Sequence, residues 1–116
     1  MSADAGAIWG MDAGPMLIVA GTIEVEPDDR DALMAAALPM MAASQAEEGC
    51  LDYVFSVDPT DSGTVRVFER WTDAAALEAH FATPHMATFR AAIRPLRFTG
   101  RDVTRYAIAR TGPVLG

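Results

Sequence analysis

The residues able to move protons gather in one stretch, Phe68 to Phe89, which reads FERWTDAAALEAHFATPHMATF. It holds both histidines, His80 and His85, one of the two tryptophans, Trp71, and a carboxylate, Glu69, inside a run with strand character. Imidazole titrates near neutrality, so His80 is the first candidate for a general base. It follows Leu77 by three residues and precedes Phe81, at the edge of an apolar helix face where a side chain can reach a pocket. Glu69 shares a strand face with Val67 and Trp71, and desolvation among apolar neighbours raises a carboxyl toward the same working range. Each has a plainer role beside the chemical one. His80 either acts as a base or hydrogen-bonds to a neighbouring strand as a structural histidine. Glu69 either acts as a base or pairs with an arginine, Arg105 or one across a dimer. His85, four residues before Phe89, either donates to a substrate or ties a helix junction together. The Tyr53 hydroxyl is suited to holding a substrate oxygen, and Phe55, Trp71 and Phe89 supply flat apolar wall or simply core. Pro84 separates the two histidines, so they share no face of one helix, which suits a substrate pocket better than a metal site.

The elements that must position these residues follow from periodicity and punctuation. Met16 to Val25, MLIVAGTIEV, is a β-branched apolar run and predicts a first strand, with Gly21 marking a bulge or a close backbone approach. Glu26-Pro27-Asp28-Asp29 opens a helix that runs to about Glu47, with Leu33, Ala37, Met40 and Ser44 as its buried stripe. Pro39 should kink it, and Gly49 fits its C-cap. Cys50 to Asp58 alternates, with Leu51, Tyr53, Phe55 and Val57 on one face. A turn at Pro59 to Gly63 leads into a strand from Thr64 to Trp71, making a hairpin. Thr72 or Asp73 caps a short helix, Ala74 to Ala82, with Leu77 and Phe81 inward. Thr83-Pro84 ends it and starts another, whose apolar stripe is Met86, Phe89, Ile93 and Leu96. Beside that stripe runs a basic one, Arg90, Arg94 and Arg97, read as a solvated or dimer-contacting face. Arg101 to Ala109 predicts the last strand.

The order β-α-β-β-α-β is the split, ferredoxin-like α+β pattern, one antiparallel sheet with helices on one face. Residues 16–110 are expected to form one domain, preceded by a flexible leader, 1–15, in which only Trp9 needs somewhere to pack, and followed by a tail, 111–116. Apolar side chains occur on both faces of the strands, and the chain's helices can cover only one. A second copy, sheet on sheet, should cover the other, so a homodimer is expected.

Composition narrows the partners. The chain has 116 residues, is 51% hydrophobic and carries a formal charge of −7, which argues against nucleic acid. Residues 1–65 hold twelve acidic residues and one arginine, and residues 66–116 hold four acidic residues and eight arginines. That asymmetry could make two copies complementary. No apolar run approaches the roughly 18 residues of a membrane span. A start without a basic region argues against a secretory signal, and a lone cysteine, Cys50, read as a small buried hydrophobe, fits a cytoplasmic protein. One cysteine and two histidines supply too few soft ligands for an ordinary protein zinc site, and no metal or cofactor is expected.

Taken jointly, Glu48-Gly49-Cys50-xx-Tyr53, Phe68-Glu69-x-Trp71-x-Asp73, Leu77, Ala79-His80 and Thr83-Pro84-His85-xxx-Phe89 resemble the antibiotic biosynthesis monooxygenase family. The opening MLIVAGTIEVEPDDRDAL is similar to its first strand and helix, so the likeness covers Met16 to Ala109. The resemblance implies a dimeric α+β barrel of ferredoxin-like subunits. It further implies oxidation of a small quinol or polyketide-like polyphenol by O2 without metal or flavin. Alternatives within its reach are isomerisation or breakdown of a small hydroxyketone signal, and a dimeric ligand-binding domain without catalysis. The haem-degrading branch is disfavoured, because it relies on an asparagine and this chain has none. His80 stands about where that branch has a tryptophan, and Arg90 near where it has its axial histidine. Cofactor-free oxygenation needs a base near neutrality, an apolar pocket, and a donor or cation to hold the anion. His80 or Glu69 would be the base, with Tyr53, Phe55, Trp71, His85 and Phe89 around the substrate.

Overall fold

The computed structural model describes residues 15–115, so all of the expected leader but Pro15, and with it Trp9, lies outside the described residues. Its strands are β1 (Leu17–Val25), β2 (Cys50–Val57), β3 (Thr64–Trp71) and β4 (Phe98–Ala107). A 3₁₀ turn at Pro27–Asp29 leads into α1 (Arg30–Gln45), and α2 (Ala74–Phe81) and α3 (Pro84–Ile93) follow β3. The strands form one antiparallel sheet in the order β2-β3-β1-β4. This is the ferredoxin-like α+β fold expected from the element order.

Period-2 alternation sets which side chains meet the helices. Leu17, Val25, Val65, Val67, Trp71, Tyr53 and Phe55 are buried on the helix side, against Leu33, Ala37 and Met40 of α1, Leu77 of α2 and Phe89 of α3. Pro39 lies on the exposed side of α1, and the helix runs through it from Arg30 to Gln45. Asp73 caps α2, accepting from the Ala76 amide at 2.8 Å, and Thr83 caps α3, accepting from that of Met86 at 3.3 Å. Gly21 marks a close approach: its φ is +153°, and a Cβ there would sit 1.8 Å from the Asp102 carbonyl oxygen on β4. The register of β1 with β4 shifts between Glu24 and Val25, where Thr99 of β4 is the extra residue, and β4 begins at Phe98, earlier than its alternation suggested.

Several expectations shift. α1 ends at Gln45 with Ala46 as its C-cap, and Gly49, at φ +88°, serves the turn into β2 instead. A register shift between Cys50 and Asp52 takes Leu51 off the buried face, and Val57 at the other end of β2 is exposed as well. On α2 the inward pair is Leu77 and His80, three residues apart, while Phe81 is 41% exposed. His80 is therefore in the interior, not at the edge of the face. The charge asymmetry is partly used within the chain, where Arg66, Arg70 and Arg97 pair with Asp58, Asp52 and Asp29.

Candidate active site

Two adjoining hollows open between the sheet and helices α2 and α3, sharing Phe81 and Arg101 as walls. One, of about 380 Å³, is bounded by Val19, Glu69, Leu77, Val103, Thr104 and Arg105. The other, of about 390 Å³, is bounded by Ile23, Met86, Phe89, Arg90, Ile93 and Phe98. Register explains the floor: Val19 pairs with Glu69 on β3 and with Arg105 on β4, and Gly21 pairs with Val67 and Val103. The lining is mostly apolar, with one carboxyl and arginines at its margins.

Glu69 is only 7% exposed, and burial pushes its carboxyl up to about 7, against the opposing hydrogen bond from Trp71. The indole Nε1 of Trp71 donates to Glu69 Oε1 at 2.9 Å, which fixes the carboxyl's orientation. The expected ion pair with Arg105 does not form, because Arg105 Nη2 lies 3.8 Å from Glu78 Oε2 instead. No arginine pairs directly with the buried carboxyl to lower its pKa, so desolvation dominates.

Behind Glu69 lies a closed polar chain. His80 is 1% exposed and packs between Tyr53 and Trp71, at ring-centroid distances of 5.0 and 4.8 Å. Its Nδ1 donates to Glu47 Oε2 at 2.7 Å, and its Nε2 meets the Tyr53 hydroxyl at 3.2 Å. A carboxylate can only accept, so the proton sits on Nδ1 and Nε2 accepts from Tyr53. Burial lowers the His80 pKa, opposed by its bond to Glu47. Burial also raises the Tyr53 phenol well above its ordinary value, with the charges of Glu69 and Glu47 adding to it. His85 Nε2 donates to the same Glu47 oxygen at 2.6 Å.

Of the residues singled out in the sequence, Glu69 and Phe89 line the hollows. Tyr53, Phe55, Trp71 and His80 form the buried aromatic layer behind them, and His85 closes the helix junction through Glu47. Glu47 was not singled out, since an acidic residue near a helix end reads as solvated and only the fold brings both histidines to it. Arg101 was also missed as a lining residue, whereas Arg105 was placed on one strand face with Val103 and considered as a pocket residue only through a pair with Glu69.

Comparison with known proteins agrees with this architecture. The sequence profile described as "Antibiotic biosynthesis monooxygenase" matches residues 16–92. The chain is 34% identical over 95 residues to sll1783 of Synechocystis sp., covering 82% of this chain and 65% of that protein, just under two thirds of its length. It is 30% identical over 90 residues to "Putative monooxygenase YcnE" of Bacillus subtilis, covering 78% of this chain and 95% of that one. The solved structure of Rv0793 from Mycobacterium tuberculosis superposes with a TM-score of 0.68 at 30% identity, over 87% of this chain and 99% of that one. With a match running from the first strand into the third helix, over most of its length, the chain belongs to the antibiotic biosynthesis monooxygenase family.

Proposed function

We propose that this protein is a cofactor-independent monooxygenase acting on a small quinol or polyphenol in the hollows between the sheet and helices α2 and α3. The observation that carries this reading is Glu69, a buried carboxyl held near pKa 7 on the wall of a largely apolar cavity with arginines at its margin. A base of that strength is half ionised at neutral pH and can take a phenolic proton without a metal. Arg101 and Arg105 would hold the resulting anion, and the apolar walls would keep it unsolvated and electron-rich. The anion passes one electron to O2, and the radical pair combines into a carbon-bound peroxide. Cleavage of the O–O bond leaves one oxygen on carbon. The other departs as water with two of the substrate's hydrogens, so atoms and electrons balance.

In this reading His80 acts one step removed. It orients Tyr53, which stands opposite Glu69 in the β2–β3 register. The test is oxygen uptake with a panel of quinols. Glu69→Gln is expected to lower the rate by about 10²–10⁴-fold, the usual worth of a general base. His80→Gln, which keeps a polar group beside Tyr53, is expected to cost less. If the protein gives no rate above background on any quinol, or Glu69→Gln is as fast as wild type, the reading fails. Turnover that persists without oxygen would select isomerisation of a hydroxyketone instead.

A further inference from the structure

We propose that Glu47, His80 and His85 form a binding site for a divalent transition metal of the zinc type, separate from the substrate hollows. This goes beyond the oxygenase reading and does not depend on it. Three elements converge here: the turn after α1 brings Glu47, the last turn of α2 brings His80, and the first turn of α3 brings His85. One oxygen of Glu47 meets His80 Nδ1 at 2.7 Å and His85 Nε2 at 2.6 Å, and the three ligand atoms all lie within 4.8 Å of one another.

The donor set is two imidazoles and one carboxylate, which suits Zn²⁺, Co²⁺ and their neighbours and leaves a fourth position for water. In a tetrahedral site with bonds of roughly 2.0–2.1 Å, ligand atoms stand about 3.3 Å apart. The two contacts to Glu47, at 2.7 and 2.6 Å, are shorter than that and the third separation is at most 4.8 Å, so the side chains must adjust by up to about 1.5 Å to surround an ion. A single dication would replace the two protons now shared with Glu47. His80 would then carry its proton on Nε2 and donate it to the Tyr53 hydroxyl, which donates or accepts equally well. That contact is the outer-shell partner a metal-bound histidine needs. On the Glu47 side the site borders a cleft of about 650 Å³ lined by Glu47, Gly49, Thr72, Asp73, Ala76 and Ala79, from which an ion would enter. The metal would clamp the ends of α1, α2 and α3 together and hold His80 against Tyr53.

The experiment uses tag-free full-length protein stripped by a chelator. Co²⁺ serves as a spectroscopic probe, followed by titration with Zn²⁺. One Zn²⁺ per chain is expected, displacing Co²⁺ whose visible bands are those of four-coordinate N/O ligation. His85→Ala and Glu47→Gln should each weaken binding on the order of 100-fold, and Tyr53→Phe roughly 10-fold, the range for outer-shell losses. Cys50→Ser should bind as wild type does. Should His85→Ala fail to fold by circular dichroism, His85→Gln, which keeps a donor toward Glu47, replaces it with the same expected loss. No uptake of either metal overturns the proposal. So does binding that survives both His85→Ala and Glu47→Gln, or binding that is lost only in Cys50→Ser. None of these readouts is oxygen uptake, so the two readings fail independently.

Discussion

Glu69 pays the desolvation cost of a buried carboxyl and receives one strong donor in return, the Trp71 indole at 2.9 Å. Its folded pKa lies near 7, above the ordinary 4.5, so the folded protein binds the proton more tightly than the unfolded chain does. The sign follows: Glu69's contribution to stability is fully present below about pH 4.5 and is lost as pH rises through about 7. Glu69→Gln, which cannot ionise, should escape that loss. Denaturant unfolding of the two proteins should therefore diverge with pH, the variant gaining on the order of 2–3 kcal/mol relative to wild type between pH 4.5 and 8. Curves that stay parallel would show that Glu69 is not the desolvated acid described. Under the proposed base role of Glu69, the same ionisation should appear in activity with the opposite sense, kcat/KM rising as pH passes through about 7.

At the scale of elements, the cavity depends on how tightly β4 lies against β1. Gly21 is the point of closest approach, where a Cβ would collide with the Asp102 carbonyl oxygen, and its positive φ strains any other residue. Gly21→Ala should destabilise the fold by at least about 2 kcal/mol, a backbone penalty read in the denaturant midpoint. It should also disturb the hollow walls that Val103 and Arg105 supply on the same face. Helix boundaries matter in the same way. In an uninterrupted helix, residues five apart point about 140° away from each other, so His80 and His85 would diverge. The capped break at Thr83-Pro84 redirects the chain and brings their rings to a centroid distance of 6.1 Å, around one Glu47 oxygen.

For the whole molecule, the uncovered face of the sheet is the dominant feature. Across it run Val54, Phe68 and Ala20 in one row and Ile18 and Tyr106 in the next. Val54 is 41% exposed, Phe68 40% and Tyr106 50%. A sheet face carrying these exposed apolar side chains, with Thr104 and the Asp52–Arg70 pair beside them, is expected to be covered by a second copy, burying about 800 Å² per chain if the interface is of standard size. Light scattering at micromolar concentration should give twice the chain mass, and Phe68→Arg should shift it toward the monomer while leaving circular dichroism unchanged. A wild-type monomer under those conditions would refute the dimer. Among the described residues, no helix is long and apolar enough to cross a membrane.

What the sequence determined alone was the order and type of the elements, because these rest on local physics. Alternation marked the strands, with β3 bounded as expected at Thr64 and Trp71, and Pro27, Asp73 and Thr83-Pro84 marked the helix starts. The likeness of Glu69, Trp71, His80 and their neighbours to one family was legible as well, and it matches residues 16–92. Tertiary structure decided what those residues touch. Whether His80 or Phe81 faces inward turns on a rotation of α2 that one-turn periodicity leaves open, and packing against Tyr53 and Trp71 settles it for His80. Whether Glu69 meets Arg105 depends on side-chain paths across two strands, and Glu78 takes the arginine instead. Glu47 lies 33 residues from His80 and 38 from His85, a separation that no local pattern encodes. The proline that separated the histidines in sequence is, in three dimensions, part of what brings them together.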